Sequence, residues 1–359
     1  MHPSSEPFAA APGGGWPPVG VAVVGLGYWG PNLVRNLYES TVADLQFICD
    51  IRPVAIERVA RRYPRVPTTT SFDEVLADPA VEAVVIATPI ASHFALAKAV
   101  LDAGKHAFVE KPLAASLSEG AELARLADER GLVLMPGHTF LYSPPVEMIR
   151  ELIVAGELGE IYFVSTSRVN LGLHQSDASV VWDLGPHDFS ILAYWLDETP
   201  AYVTALSRGC VMPETPDVAF INLEYAKGTI AHVEIAWLAP SKLRRTTIVG
   251  SRKMVVYDDT SIEPVRVFDA GVTLRDPATF GEYRMSYRTG DIVSPRVDVA
   301  EPLLLELNDF CRSIRTGASP RSSSAIGLDV LRTVEAAERS LAGGGARTLV
   351  DVSTARSSV

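Results

Sequence analysis

The sequence predicts two α/β domains: an N-terminal doubly wound parallel sheet, then a domain built on an antiparallel or mixed sheet with one covered face. Three observations carry this. At 359 residues the chain is longer than the roughly 250–300 residues at which single hydrophobic cores stop growing. From residue 19 to about 137, continuous apolar runs alternate with amphipathic stretches, the order that parallel strands joined by helices produce. From about 201 to 274, apolar residues recur at alternate positions, as in strands with one buried face.

Residues 1–18, rich in Pro, Gly and Ala, read as a disordered tail without the basic start and long apolar run of a signal peptide. "VGVAVVGLG" is a strand buried on both faces, and "PNLVRNLYES" a helix with Pro31 tolerated in its first turn. "DLQFICD" is a strand ending in Asp50, and "TTTSFDEVLADPA" places Ser71 three residues before Glu74, a capping-box pattern. "VEAVVIATP", "HAFVEKPLA" and "LVLMPGH" are further strands, separated by the helices "HFALAKAVLDAG" and "LSEGAELARLADERG". These bound a domain at 19–137 and leave 138–359 as the second. There, the helix "PPVEMIRELIVAGELG", the strand "EIYFVSTSRVNL" and the helix "VWDLGPHDFSILAYWLD" precede the alternating strands, with Gly228 at a hairpin turn. Helices "EPLLLELNDFCRSIRTG" and "SSSAIGLDVLRTVEAAERSLAGG" and a short strand-like "ARTLVDV" finish the chain.

Composition excludes several classes. A formal charge of −11 and a pI near 5.2 argue against nucleic acid, which needs a basic face to release counterions. Cys49, Cys210 and Cys311 are three in number and far apart, which reads as reduced thiols in a cytoplasmic protein with no disulfide framework. No apolar run of about 20 residues is available to span a bilayer, so no membrane association is expected.

"VVGLGYWG" holds Gly25, Gly27 and Gly30 in G-x-G-x-x-G spacing between a strand and a helix. The first glycine permits the turn, the second lets a pyrophosphate approach the backbone, and the third lets helix and strand pack closely. Asp50 ends the next strand 20 residues after Gly30, where an acid accepts from both ribose hydroxyls and repels a 2′-phosphate. NAD is therefore expected over NADP. Arg52, two residues on, is open to stacking on adenine, holding a 2′-phosphate, or lying solvated.

In a doubly wound sheet the carboxyl ends of "HAFVEKPLA" and "VVIATP" open towards a bound nicotinamide. Lys111 stands at such an end, one of six lysines against twenty-six arginines, and Pro112 ends the strand by removing a backbone donor. In "WDLGPHDF", Asp183 and His187 are four apart on one helical face, where a carboxylate can orient an imidazole. Alcohol oxidation needs a group to take the hydroxyl proton, and histidine titrates in the right range. A zinc site from Asp183, His187 and His138 or His174 lacks any H-E-x-x-H or cysteine set to support it, and no metal is expected.

"GLGYWGPN", "ATP", "HFALAKAVLDAGKHAFVEKPLA", "GHTFLYSPPV" and "WDLGPHDFSIL", in this order over residues 19–351, resemble the Gfo/Idh/MocA family of sugar and cyclitol oxidoreductases. The resemblance implies an N-terminal Rossmann domain, and a C-terminal α/β domain whose large open, mainly antiparallel sheet builds a homodimer or homotetramer. It implies Lys111 near the reacting hydroxyl, His187 as general acid/base with Asp183, and a cis Lys111–Pro112 bond. Cofactor contacts are then expected from Gly25, Gly27, Tyr28, Trp29, Gly30, Asp50, Arg52, Thr88, Pro89, His93, Glu110 and Lys111. "RVNLGLHQSDASVVWDLGPHDFSIL" looks most like the subgroup acting on nucleotide-linked or antibiotic sugars such as aminoglycosides, often at carbon 3. Arg168, Asn170, His174, Gln175 and Trp182, with His138 and Tyr142, become candidate substrate contacts. Two other readings stay open: an NAD(P)H-dependent 3-ketoreductase of a nucleotide-linked keto sugar, and a non-catalytic protein that senses the dinucleotide.

Overall fold

A computed structural model of the chain describes residues 15–172, 178–274 and 285–351. The expected sites His174 and Gln175 lie outside these residues. The chain divides into two compact units. The first runs to Ala115 and adds Ala121–Gly137 and Leu303–Ser324; the second comprises Ser116–Gly120, His138–Pro302 and the chain from Ala325 on.

In the first unit the chain passes through β1 (Val19–Val24), α1 (Gly30–Glu39), β2 (Ala43–Cys49), α2 (Pro53–Ala60), β3 (Thr68–Thr69) and α3 (Phe72–Ala77). It continues through β4 (Ala83–Ile86), α4 (His93–Asp102), β5 (His106–Glu110), α5 (Leu117–Arg130) and β6 (Leu134–Gly137). The six strands form one sheet in the order β3-β2-β1-β4-β5-β6, with every pairing parallel. Every residue of β1 is buried, because helices cover both faces of a parallel sheet and leave no polar side. The strand order reverses between β1 and β4, which makes the crevice at their carboxyl ends the ligand-binding position of the fold. Helix signals read from sequence act locally. The Ser71 hydroxyl accepts the Glu74 N–H at 3.3 Å at the start of α3, while the Glu74 carboxylate takes the Thr69 hydroxyl, so half of the capping box forms.

The second unit contains α6 (Pro144–Val154), β7 (Ile161–Leu171), α7 (Val180–Leu196), β8 (Tyr202–Arg208), β9 (Val218–Glu224), β10 (Ile230–Ala236) and β11 (Leu238–Gly250). After β12 (Met254–Asp258), β13 (Val265–Leu274) and β14 (Met285–Val293), and beyond α8 (Pro302–Thr316), come α9 (Ser324–Ala342) and β15 (Thr348–Leu349). Nine strands pair in the order β14-β13-β12-β11-β7-β10-β9-β8-β15. Only β7 and β10 run parallel; the other pairings are antiparallel. Register aligns Val203, Leu223 and Ala231 in one buried row, and Leu206 and Phe220 in an exposed one, the two faces that period-2 alternation dictates. Gly228, with φ +95°, sits in the β9–β10 turn. Helix α7 packs on β10, β7 and β9 and is buried on most sides, which its nearly continuous apolar sequence requires.

The expectation of one domain at 138–359 needs a correction, because α8 joins the first unit. Its buried face includes Leu303, Leu307 and Phe310, and Phe310 meets Phe108 of β5 edge-on at 5.8 Å. The Ser40 hydroxyl donates to Asn308 at 2.9 Å, and Arg315 grips Glu82 at 2.6 and 2.7 Å. The apolar stripe of a helix says that it covers a core, not which core. Strand β14 was also not read from sequence: charged and glycine residues interrupt its alternation, and among the described residues it pairs only with β13.

Candidate active site

Strand β1 ends at Gly25, whose φ of +99° lies in the left-handed region and where a Cβ would stand 2.6 Å from the Ala87 carbonyl oxygen. At Gly30 a Cβ would stand 2.0 Å from the Gly25 carbonyl oxygen. The chain's own packing therefore requires both glycines. Gly27 differs, since a Cβ there would meet nothing within 4 Å. Close approach of a ligand to the backbone explains that glycine. No side chain caps the start of α1, so the positive end of the helix is available to an anion. The turn fits a dinucleotide pyrophosphate. Beside it Tyr28 is exposed and Trp29 partly so.

Asp50, 5% exposed, follows β2 and accepts the Leu26 N–H at 2.7 Å, which ties it to the glycine turn. Arg52 closes on the same carboxylate through its backbone N–H at 2.9 Å and its guanidinium at 3.0 Å on both oxygens. Burial pushes the Asp50 pKa up, but the hydrogen bonds from Arg52 and Leu26 outweigh it and hold the carboxyl below its ordinary value. Arg52 thus has a partner within the chain, where the sequence left adenine, a 2′-phosphate or solvent open. Its side chain is 61% exposed, so water solvates the guanidinium when the carboxylate turns to ribose hydroxyls.

After β4 come Thr88 and Pro89. The Ser92 hydroxyl donates to the Thr88 hydroxyl or the Pro89 carbonyl, each at 2.7 Å. His93, 1% exposed, lies with Nδ1 2.8 Å from the Pro112 carbonyl and Nε2 2.8 Å from the Thr88 carbonyl. Burial pushes its pKa down, the two carbonyls push it up and the Lys111 charge pushes it down again; the net direction is down. After β5, the Lys111–Pro112 bond is cis. Lys111 is half-buried and Pro112 buried. The Lys111 N–H donates to the Glu110 carboxylate at 3.2 Å. Burial pushes the Glu110 pKa up to about 7, against the Lys111 charge and N–H and a hydrogen bond from Trp29. Glu110 Oε1 is buried with no hydrogen-bond partner among the described residues.

In the second unit, Asp183 and His187 occupy successive turns of α7, with Pro186 inside the helix. Pro186 cannot donate to the carbonyl four residues back and loosens the helix at this segment. The Asp183 carboxylate accepts the Trp237 indole N–H at 3.1 Å. The His187 ring meets Phe140 edge-on, with centroids 5.0 Å apart. Arg168 lies 4.5 Å and Arg244 5.4 Å from the same Phe140 ring.

Arg168, expected as a substrate contact, is engaged within the chain. It is 5% exposed and its guanidinium holds Asp188 at 2.6 and 3.3 Å, while the Thr166 hydroxyl donates to the same carboxylate at 2.8 Å. A buried charge must be paired, and Asp188 supplies the partner. His138 and Tyr142 are also buried, at 1% and 2% exposure, and Asn170 and Trp182 are half-buried. Sequence reasoning missed Phe140, Trp237 and Asp188. For Asp188 a signal existed, an acid directly after His187 at the head of the apolar run "FSILAYWL". A cleft bordered by Glu157, Ser251, Lys253 and Arg288 holds none of the expected site residues; there Lys253 pairs with Glu157 at 2.5 Å and Arg288 with Asp269. Among the described residues no group of three or more His, Cys, Asp or Glu is placed to hold a metal ion, and no helix is long and apolar enough to cross a membrane.

Comparison with known proteins agrees with this architecture. Residues 19–138 match the oxidoreductase family model with an NAD-binding Rossmann fold, and residues 146–256 match the model of the GFO/IDH/MocA C-terminal domain. The scyllo-inositol 2-dehydrogenase (NADP(+)) IolW of Bacillus subtilis (strain 168) is 25% identical over 89% of this chain and 93% of its own length. The scyllo-inositol 2-dehydrogenase (NAD(+)) of the same organism is 26% identical over 83% of this chain and 87% of its own. Among solved structures, GenD2 from gentamicin A biosynthesis, in complex with NAD, superposes with a TM-score of 0.79 at 26% identity, covering 94% of this chain and 97% of its own.

Proposed function

The chain belongs to the Gfo/Idh/MocA family of oxidoreductases, and on that premise we propose that it oxidises a secondary ring hydroxyl of a sugar, nucleotide sugar or aminoglycoside, at carbon 3, to a ketone. The observation that carries this reading is the arrangement at the carboxyl ends of β1, β2 and β5. There a glycine turn with room for a pyrophosphate, Asp50 and Lys111 lie along one crevice edge of a single sheet. The likeness to GenD2 over nearly the whole chain supports an aminoglycoside-type substrate.

NAD, which the glycine turn and Asp50 would hold, would supply the acceptor for the hydride. His187 takes the hydroxyl proton as that hydride departs, which balances the two-electron oxidation of the carbinol to a ketone. The Lys111 ammonium stabilises the alkoxide as charge develops on oxygen, a role for which a compact point charge suits better than a guanidinium fork. Asp183, which accepts the Trp237 indole N–H, orients the imidazole one turn on. Trp29, Thr88 and Glu110 would border the cofactor. NAD is favoured over NADP because Asp50 stands at the end of β2, where it repels a 2′-phosphate. Family relatives of both cofactor types exist, so comparing the two affinities tests that point. The exposed face with Leu206, Phe220, Phe163 and Ile230 on the nine-stranded sheet supports assembly into a homodimer or homotetramer, checked by light scattering. On this reading the protein lies in the cytoplasm, where Cys49, Cys210 and Cys311, unbridged here, would stay reduced.

The test is a screen of NAD reduction against free sugars, nucleotide sugars, aminoglycosides and inositols, with NMR to locate the oxidised carbon. Lys111→Ala and His187→Ala should each lose turnover by about 10²-fold or more while NAD still binds. Near-wild-type turnover in either variant refutes the assignment.

A further inference from the structure

We propose that His93 is a positioning residue for Lys111, tying the turn that carries the lysine to the end of the neighbouring strand β4. This rests on the assignment of Lys111 to the reacting hydroxyl. Backbone pairing between β4 and β5 extends to Ile86 and Val109, so the ladder does not reach residues 110–113. Pro112 has no N–H to offer, and its carbonyl lies 2.8 Å from the His93 Nδ1. The opposite ring nitrogen lies 2.8 Å from the Thr88 carbonyl. The neutral imidazole has one N–H, which it donates to one of these carbonyls while the ring packs against the other, so it wedges between the two strand ends just where their ladder has stopped.

Each side of the wedge rests on fixed structure. The Ser92 hydroxyl lies 2.7 Å from both the Thr88 hydroxyl and the Pro89 carbonyl, which stiffens the β4 end. His93 itself opens α4 and is 1% exposed, so its ring does not swing into solvent. With both ring nitrogens facing backbone carbonyls, neither is directed to a cofactor, the contact expected from sequence. The imidazole acts instead through the position of Lys111, one residue before Pro112. Misplacing a group that meets the reacting atoms by about 1 Å costs on the order of 10²-fold in rate.

The experiment is a double-mutant cycle of His93→Phe and Lys111→Met, with turnover measured on a ring alcohol from the substrate screen and NAD binding measured by calorimetry. His93→Phe keeps a ring and removes both polar contacts. The expected result is a kcat lowered about 10- to 100-fold, NAD affinity within about twofold of wild type, and little further loss in the Lys111→Met background. His93→Gln, which keeps an N–H donor, should recover part of the rate. An equal loss of kcat and NAD affinity would make His93 a cofactor contact and overturn the proposal. So would the same fractional loss with and without Lys111. Full turnover in Lys111→Met alone would instead sink the functional assignment beneath it. If His93→Phe does not fold, wild-type protein labelled with ¹⁵N-histidine decides: a His93 ring N–H protected from solvent exchange is expected, and free exchange at both nitrogens overturns the proposal.

Discussion

Replacing Arg168 by methionine separates a structural ion pair from a substrate contact. The Arg168 and Asp188 side chains are 7% and 4% exposed, and the guanidinium reaches the carboxylate at 2.6 and 3.3 Å. Removing the arginine leaves a buried carboxylate with the Thr166 hydroxyl, 2.8 Å away, as its remaining side-chain partner of those described. Breaking a buried pair in this way costs about 3–5 kcal/mol. In a unit of roughly 200 residues each kcal/mol moves the midpoint by about 2–4 °C, so Tm should fall by roughly 6–20 °C. Urea unfolding followed by the fluorescence of the buried Trp195 and Trp237 measures the loss. The double variant Arg168→Met/Asp188→Leu should regain most of it, because the uncompensated charge is gone. A single-variant loss below about 1 kcal/mol, the range of exposed pairs, would refute the reasoning. Turnover adds a second reading. If Arg168 touched substrate, KM would rise in the refolded double variant as well; a supporting role predicts an unchanged KM.

Gly27→Ala meets no atom of the chain, so stability should hold or rise by about 0.4–1 kcal/mol while NAD affinity falls by about tenfold or more; unchanged affinity in calorimetry would remove the pyrophosphate from this turn. Glu110 titrates near 7 in the folded chain against an ordinary 4.5. The folded state therefore holds a proton that the unfolded chain releases between those values, and stability is lost as pH rises through that window, by about 3 kcal/mol above it. Glu110→Gln should abolish this slope and be the more stable form at pH 8; a constant difference between the two proteins from pH 5 to 8 contradicts the assignment. Phe310→Ala should cost about 3–5 kcal/mol and speed hydrogen exchange in β5, which carries Phe108, before β10. Faster exchange in β10 first would place α8 on the other core.

Local features were legible because their causes are local. Gly25 and Gly30 are demanded by a turn and a close approach within a few residues, the Ser71 cap acts three residues away, and apolar runs announced β1, β4 and β5. The Asp183 and His187 spacing placed both on α7. Roles set by distant partners were not legible. Arg168 looked like a free polar residue on a strand, and its capture by Asp188, 20 positions on, depends on how α7 crosses β7. His93 looked like a helix-start residue near a cofactor, and its second carbonyl partner, Pro112, arrives only after a further helix and strand.

By itself the sequence determined the order of strands and helices, the dinucleotide turn and which face of each element is apolar, since these follow from the periodicity and stereochemistry of neighbouring residues. The tertiary structure decided which core each face covers, sending α8 back to the first unit, and which charges and ring nitrogens are spent within the chain. Those outcomes turn on contacts between residues far apart in sequence, where burial obliges each polar group to find a partner but linear spacing does not say which one.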